Sequence, residues 1–151
     1  MLSTNNLKEA LACASLNRSR LVITSQSIED VDTFLTLNLN KLLTEQLMTI
    51  SRKERAKSVM LIMEKLIAET EKNEIMLSGI EVLFDRSLGI DPLRLLSNCS
   101  KNKTLLVLWP GDKTSLGLSY AGASHPEHRT YKASDLSDVI YLKLVHSCIK
   151  G

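Results

Sequence analysis

Between Glu74 and Gly111 two aliphatic runs flank a helix that carries its own start signal, and this arrangement restricts the fold more than any other part of the chain. The first run is Ile75-Met-Leu77 and the second is Leu105-Leu-Val-Leu-Trp109. Apolar runs without polar alternation belong to strands covered on both faces, the situation of parallel strands in an α/β sheet. The helix between them opens at Asp91-Pro92. The aspartate side chain accepts from amide groups that have no helical partner, and proline at the first helical position gives up only a donor that is orphaned anyway. Strand, helix, strand is a βαβ-like unit, so the spacing predicts an α/β fold with a mostly parallel sheet. The intervening Ile80-Glu-Val-Leu-Phe84 either lengthens the first run or forms a one-turn helix.

The rest of the chain adds elements of the same kind. Ser3 to Ala14 reads as a short helix with Leu7, Leu11 and Ala14 on one face, and Leu21-Val-Ile-Thr24 as the first strand. Leu35, Leu37 and Leu39 alternate with Thr36, Asn38 and Asn40, the period of a strand. Asn40 is the expected cap of the next helix, whose stripe is Leu42, Leu43, Leu47 and Ile50. The longest helix is expected over roughly Lys53 to Lys72, because Val59, Ile62, Met63, Leu66 and Ile67 recur at helical spacing. Its wet side is Glu54, Lys57, Glu64 and Lys65. Further on, Asp112 to Ser115 reads as a turn, Leu116 to Ala121 as a short strand, and Asp135 to His146 as a closing helix with Val139 and Leu142 toward the core.

A chain of 151 residues is expected to form one domain over residues 1–151. With 44% hydrophobic and only 4% aromatic residues, its core must be built mostly from Leu, Ile, Val and Met. The 19 basic and 17 acidic residues leave a net charge of +2, too balanced to argue for more than weak or indirect DNA contact. Cys13, Cys99 and Cys148 are widely spaced with no CxxC or CxxH pair, which fits reduced thiols better than a zinc site. No apolar run has the length of a membrane span and no signal-peptide pattern opens the chain, so a soluble cytoplasmic protein is expected, with no membrane contact.

Several residues have two readings. Arg52-Lys-Glu-Arg-Ala-Lys57 and the pair Arg18 and Arg20 are either phosphate contacts or solvated helix and loop surface. His125 and His128 have a spacing that suits two metal ligands on a helix, but Pro126 lies between them and no third ligand is evident. Trp109 is either a core filler or a partner anchor at the end of a strand that Pro110 stops.

The stretches Ile80-Glu-Val-Leu-Phe-Asp85, Asp91-Pro-Leu-Arg-Leu-Leu96, Thr104-Leu-Leu-Val-Leu-Trp-Pro-Gly111 and His125-Pro-Glu-His-Arg-Thr-Tyr131 together resemble the BrxF family, the small P-loop component of type 3 BREX anti-phage systems. Leu37-Asn-Leu-Asn-Lys-Leu-Leu43 is similar as well. The resemblance covers about Leu35 to Tyr131 and implies a three-layer α/β/α fold like that of P-loop NTPases. It also implies partners among other BREX components, such as the large ATPase or the alkaline-phosphatase-like protein.

Two departures bear on chemistry. The family has a Gly-rich loop ending in Gly-Lys-Ser/Thr after its first strand, whereas no glycine occurs between Met1 and Asn73 here. Phosphate binding in such loops needs glycines for close backbone approach and a lysine for the β/γ oxygens. Where a P-loop protein has a magnesium-holding acid after an apolar strand, Ser78 follows Ile75-Met-Leu77. The expectation is a degenerate nucleotide site, no cofactor, and a non-enzymatic protein acting through Trp109, Arg129 and Tyr131. The segments holding these residues are expected in loops near the carboxyl edge of the sheet. The alternatives are a rearranged nucleotide site using Glu81, Asp85 or Arg94, and a small DNA-binding module.

Overall fold

The computed structural model describes residues 1–26 and 34–143. In chain order these form β1 (Leu2–Thr4), α1 (Leu7–Ala14), β2 (Leu21–Thr24), β3 (Leu35–Asn38), α2 (Leu39–Leu47), α3 (Arg52–Ala68) and β4 (Glu74–Ser78). Two 3₁₀ turns follow, Ile80–Phe84 and Arg86–Leu88, and then α4 (Pro92–Cys99) and β5 (Thr104–Leu108). The chain continues through β6 (Asp112–Thr114), β7 (Gly117–Tyr120), β8 (Arg129–Lys132), a 3₁₀ turn at Ala133–Leu136 and β9 (Val139–Leu142).

Six strands make one sheet in the order β1-β9-β2-β5-β4-β3, and every pairing in it is parallel. The register explains why the strand sequences read as unbroken apolar runs. Val22 lies beside Leu106 and Ile140, and Leu106 lies beside Met76, so these side chains share one face. That face is packed with Ala10 and Ala14 of α1 and with Phe34. Leu21, Ile23, Ile75, Leu77, Leu105 and Val107 share the opposite face, against buried residues of α2, α3 and α4 such as Leu43, Met63 and Leu96. Helices on both faces of a parallel sheet make the arrangement α/β/α. The strands β6, β7 and β8 form a separate antiparallel sheet.

The helix ends follow from local chemistry. Asn6 and Asn38 cap α1 and α2 by accepting from the amides of Glu9 and Lys41. The cap of α2 is therefore Asn38, not Asn40, because the strand ends one pleat earlier than the alternation suggests. Arg55 donates from Nε to the carbonyls of Leu47 and Ile50 at 3.1 Å each, closing the carboxyl end of α2. Lys103 does the same for α3: its ammonium donates to Ile67 O at 2.8 Å, Thr70 O at 2.6 Å and Thr70 Oγ1 at 2.8 Å. A cation on the carbonyl end of a helix also meets the negative end of its dipole. Lys103→Met keeps the stem and removes the donors, and is expected to cost about 1.5–3 kcal/mol, the range for hydrogen bonds to charged groups. Urea unfolding of the two proteins measures it.

Three further readings of the sequence are corrected. Val139–Leu142 is a strand, not part of a helix, and is buried at all four positions between β1 and β2. The remainder of that expected helix, from residue 144 onward, and Cys148 lie outside the described residues. Leu2–Thr4 is an edge strand ahead of the first helix, which begins at Leu7 rather than Ser3. Asp112–Thr114 is a strand rather than a turn, exposed throughout and held by pairing to β7. Of the two possibilities for Ile80–Phe84, the 3₁₀ turn is the one observed.

Candidate functional site

In a doubly wound sheet the crevice for ligands lies outside the carboxyl ends of adjacent strands whose connections leave to opposite sides. Here those strands are β2 and β5. From β2 the chain crosses to β3 at the far edge, and from β5 it passes through the small sheet to β9 on the other side of β2. The strand ends are tied to each other. Thr24 O accepts from the Trp109 amide at 2.7 Å, and the Tyr141 hydroxyl donates to Ser25 Oγ at 3.1 Å. Thr24 Oγ1 both donates to Gln26 O and accepts from Gln26 N, each at 3.2 Å. Residues 27–33, which continue from this edge, lie outside the described residues.

Beside this crevice the small sheet is seated on the parallel one by aromatic residues. Trp109 is 3% exposed; its indole N–H donates to Ser119 O in β7 at 2.9 Å. Its ring meets Phe84 edge-on at 5.6 Å and Tyr131 edge-on at 6.0 Å, while Tyr120 stacks on Phe84 at 3.9 Å. Off-set and edge-to-face pairs of this kind add to what area burial alone contributes.

Around Asp91 the same sheet is tied to the start of α4. The Tyr131 hydroxyl donates to Asp91 Oδ1 at 2.7 Å and accepts from the Leu93 amide at 3.3 Å. The same carboxylate oxygen caps α4 through the amides of Leu93 at 3.1 Å and Arg94 at 3.4 Å. Burial, and then the bond to Asp91, push the Tyr131 phenol well above its ordinary range, so it stays a donor. Arg129 donates to Ile90 O at 3.3 Å and lies 3.8 Å from Asp91 Oδ1, with its side chain 41% exposed.

The structure therefore brings Trp109, Tyr131 and Arg129 together at one junction, where two of them are interior. Trp109 and Tyr131 join the core, and Arg129 alone of the three keeps a large exposed surface. Arg129 and Tyr131 sit in β8 rather than in a loop, which corrects the expectation for that segment. Asp91, read from the sequence only as a helix cap, is the residue both of them address; its link to β8 spans about forty residues and has no local signal.

A polar cleft of about 530 Å³ opens next to Arg129, bounded by Asp85, Arg86, Ile90, His125 and Glu127 among others. His125 Nδ1 accepts from the Glu127 amide at 3.0 Å, which leaves the proton of a neutral ring on Nε2. His128 Nδ1 lies 3.0 Å from Ala121 O, and Ala121 is held in the left-handed region at φ 62°. Among the described residues no group of three His, Cys, Asp or Glu side chains is placed to hold a metal ion.

The remaining candidates are dispersed. Glu81 and Arg94 are exposed. Asp85 is held below the usual carboxylate range first by its bonds from Ser87 and then by the nearby Arg52 and Arg55. Arg55 is committed to the α2 carbonyls, while Arg52, Lys53, Lys57 and Arg18 are exposed and Arg20 is half-buried. Burial, with a smaller effect of Glu64, raises the Cys99 thiol to about 12, so it is protonated at neutral pH; Cys13 is partly exposed.

Compared with protein-family models, with curated proteins and with solved structures, the chain matches none. No helix among the described residues is long and apolar enough to cross a membrane.

Proposed function

We propose that the chain is a non-enzymatic component of a BREX-type bacteriophage defence system, a cytoplasmic pseudo-ATPase that works through contacts with other subunits. The observation that carries this reading is the pairing of BrxF-like stretches from Leu35 to Tyr131 with a β2 that runs into Thr24-Ser-Gln26 and no glycine or lysine loop. A strand order with β2 inside the sheet and β3 at its far edge is compatible with a P-loop-like topology. Ser78 at the end of β4 is a neutral hydroxyl where magnesium would need a carboxylate. A relative without phosphate-binding chemistry retains value as a surface, and Arg129 is suited to it: a guanidinium offers paired donors to a carboxylate.

The test has two arms. Calorimetry of the protein with ATP and magnesium at about 100 μM, in the range of weak cofactor affinities, is expected to give no saturable heat. Saturable binding overturns the pseudo-ATPase reading. Co-purification with the products of neighbouring genes is expected to recover at least one BREX subunit, and Arg129→Ala is expected to weaken that association by about 2 kcal/mol, as a hot-spot residue does. The half-exposed Arg129–Asp91 pair contributes at most about 1 kcal/mol to folding, so the melt should move little. Association that survives the substitution places the surface elsewhere, and recovery of no BREX subunit removes the reading.

A further inference from the structure

The polar cleft beside Arg129 holds more donors than the chain itself uses. Arg86 reaches it from the second 3₁₀ turn, Arg129 from β8, and His125 from the loop that precedes β8. Arg86 is exposed, and its guanidinium has no hydrogen-bond or ion-pair partner among the described residues. Arg129 gives one donor to Ile90 O and stands 3.8 Å from Asp91 Oδ1, which leaves it further N–H groups. His125 accepts at Nδ1, so its Nε2–H is uncommitted.

The acids lining the cleft are Asp85 and Glu127, and they differ. Asp85 is committed: its carboxylate accepts from the Ser87 amide at 2.8 Å and is held low by the bonds from Ser87 and then by Arg52 and Arg55. The carboxylate of Glu127 makes no hydrogen bond among the described residues. It is near enough to Tyr120 to raise that phenol, after the larger effect of burial. What stays open in the cleft is therefore two guanidinium groups and an imidazole N–H against one carboxylate.

We infer that this cleft receives the carboxylates of an acidic peptide segment, one on Arg86 and one on Arg129. The inference supplies the chemistry of the contact surface proposed above, and rests on that reading only for the segment belonging to another subunit. A planar guanidinium meets a carboxylate through paired N–H donors. Phosphate suits the cleft less well. Phosphate sites draw on open backbone amides, and those at the adjoining start of α4 are taken by Asp91 and Tyr131. Glu127 also repels a dianion more than a single carboxylate. The volume, about 530 Å³, admits several side chains rather than one small ion.

Titration of the isotope-labelled whole chain with tetraglutamate at low salt is expected to shift the amide signals of Arg86, His125, Glu127 and Arg129. A Kd of about 0.1–1 mM is expected, rising with salt. Arg86→Ala is expected to weaken binding about tenfold, through loss of a charge-assisted pair. Glu127→Gln is expected to tighten it about threefold, the size of an exposed charge interaction. Neither side chain has a hydrogen-bond partner, so both melts should match the wild type. Arg18→Ala, an exposed arginine between α1 and β2, is the control and should bind as the wild type does. Inorganic phosphate is expected to bind more weakly than tetraglutamate. The inference is overturned if tetraglutamate shifts no cleft signal, if Arg86→Ala and Glu127→Gln leave its affinity unchanged, if Arg18→Ala loses as much as Arg86→Ala, or if phosphate binds more tightly. Cleft binding with no BREX subunit recovered removes the reading of function and leaves the acidic-segment site standing; a recovered subunit with a cleft that ignores tetraglutamate does the reverse.

Discussion

Gly111→Ala is expected to unseat the three-stranded sheet and to lower stability by roughly 3 kcal/mol or more, the upper part of the range for overpacking a close-fitted site. An added Cβ at Gly111 overlaps the carbonyl oxygen of Ser119 and comes within 2.9 Å of the Ser119 carbonyl carbon and the Tyr120 Cα. These are backbone atoms of β7, held by β6 on one side and β8 on the other, so they cannot swing aside as a side-chain tip would. The same Ser119 carbonyl accepts the indole N–H of Trp109, and any shift that makes room for the methyl lengthens that bond. For a chain of this size a loss of about 3 kcal/mol corresponds to a melting temperature lower by roughly 6–12 °C. Gly122 is the internal control: nothing lies within 4 Å of a Cβ built there, and Gly122→Ala is expected to change little. Trp109 is the only tryptophan, so its fluorescence reports directly on the junction. Gly111→Ala should shift the emission toward the solvated range before the main unfolding transition, and an unshifted spectrum with an unchanged melt would mean β7 can yield without cost.

The parts of the fold that could be read from the chain are those whose signal is local. Asp91-Pro92 opens α4 as its capping chemistry requires, and the aliphatic runs at Ile75–Leu77 and Leu105–Leu108 are adjoining central strands. The parts that could not be read depend on pairing between distant residues. Val139–Leu142 is a short apolar run that periodicity cannot assign to helix or strand. Its strand state comes from β2, more than a hundred residues earlier, and from β1. Leu2–Thr4 and Asp112–Thr114 are edge strands of three residues, too short and too exposed to show alternation.

The junction divides in the same way. Trp109 at a strand end and the Arg129–Tyr131 pair were visible as unusual residues, and their meeting place is real. What hid from the sequence was the burial of Trp109 and Tyr131, because a strand such as β8 with the pattern Arg-Thr-Tyr-Lys presents one apolar side chain in four. Tyr131 goes inward on that pleat while Arg129 stays at the surface, near the residue that both of them bind, Asp91. What this junction presents outward is the Arg129 side chain and the cleft toward His125, with Trp109 and Tyr131 buried beneath them.

The two roles open to Trp109 in the sequence separate cleanly by experiment. As a core residue, Trp109→Ala removes a buried indole, two edge-on ring contacts and the donor to Ser119, and should cost about 3–5 kcal/mol. As a partner anchor it would instead leave the melt unchanged and abolish association. The structure favours the first, at 3% exposure. Trp109→Phe refines the point by keeping most of the ring and deleting the N–H. Its effect should not add to that of Gly111→Ala, because both act on the Ser119 carbonyl; residues that share a partner show interaction energies of about 0.5–3 kcal/mol. The measurement is a double-mutant cycle in urea followed by circular dichroism, since the fluorescent probe is gone in two of the four proteins. The expected result is that the double variant is less damaged than the sum of the singles: once the methyl at residue 111 has displaced Ser119, the indole donor has little left to lose. Strict additivity would mean that Trp109 and Gly111 hold the small sheet independently, and that Ser119 is not the point through which it is seated.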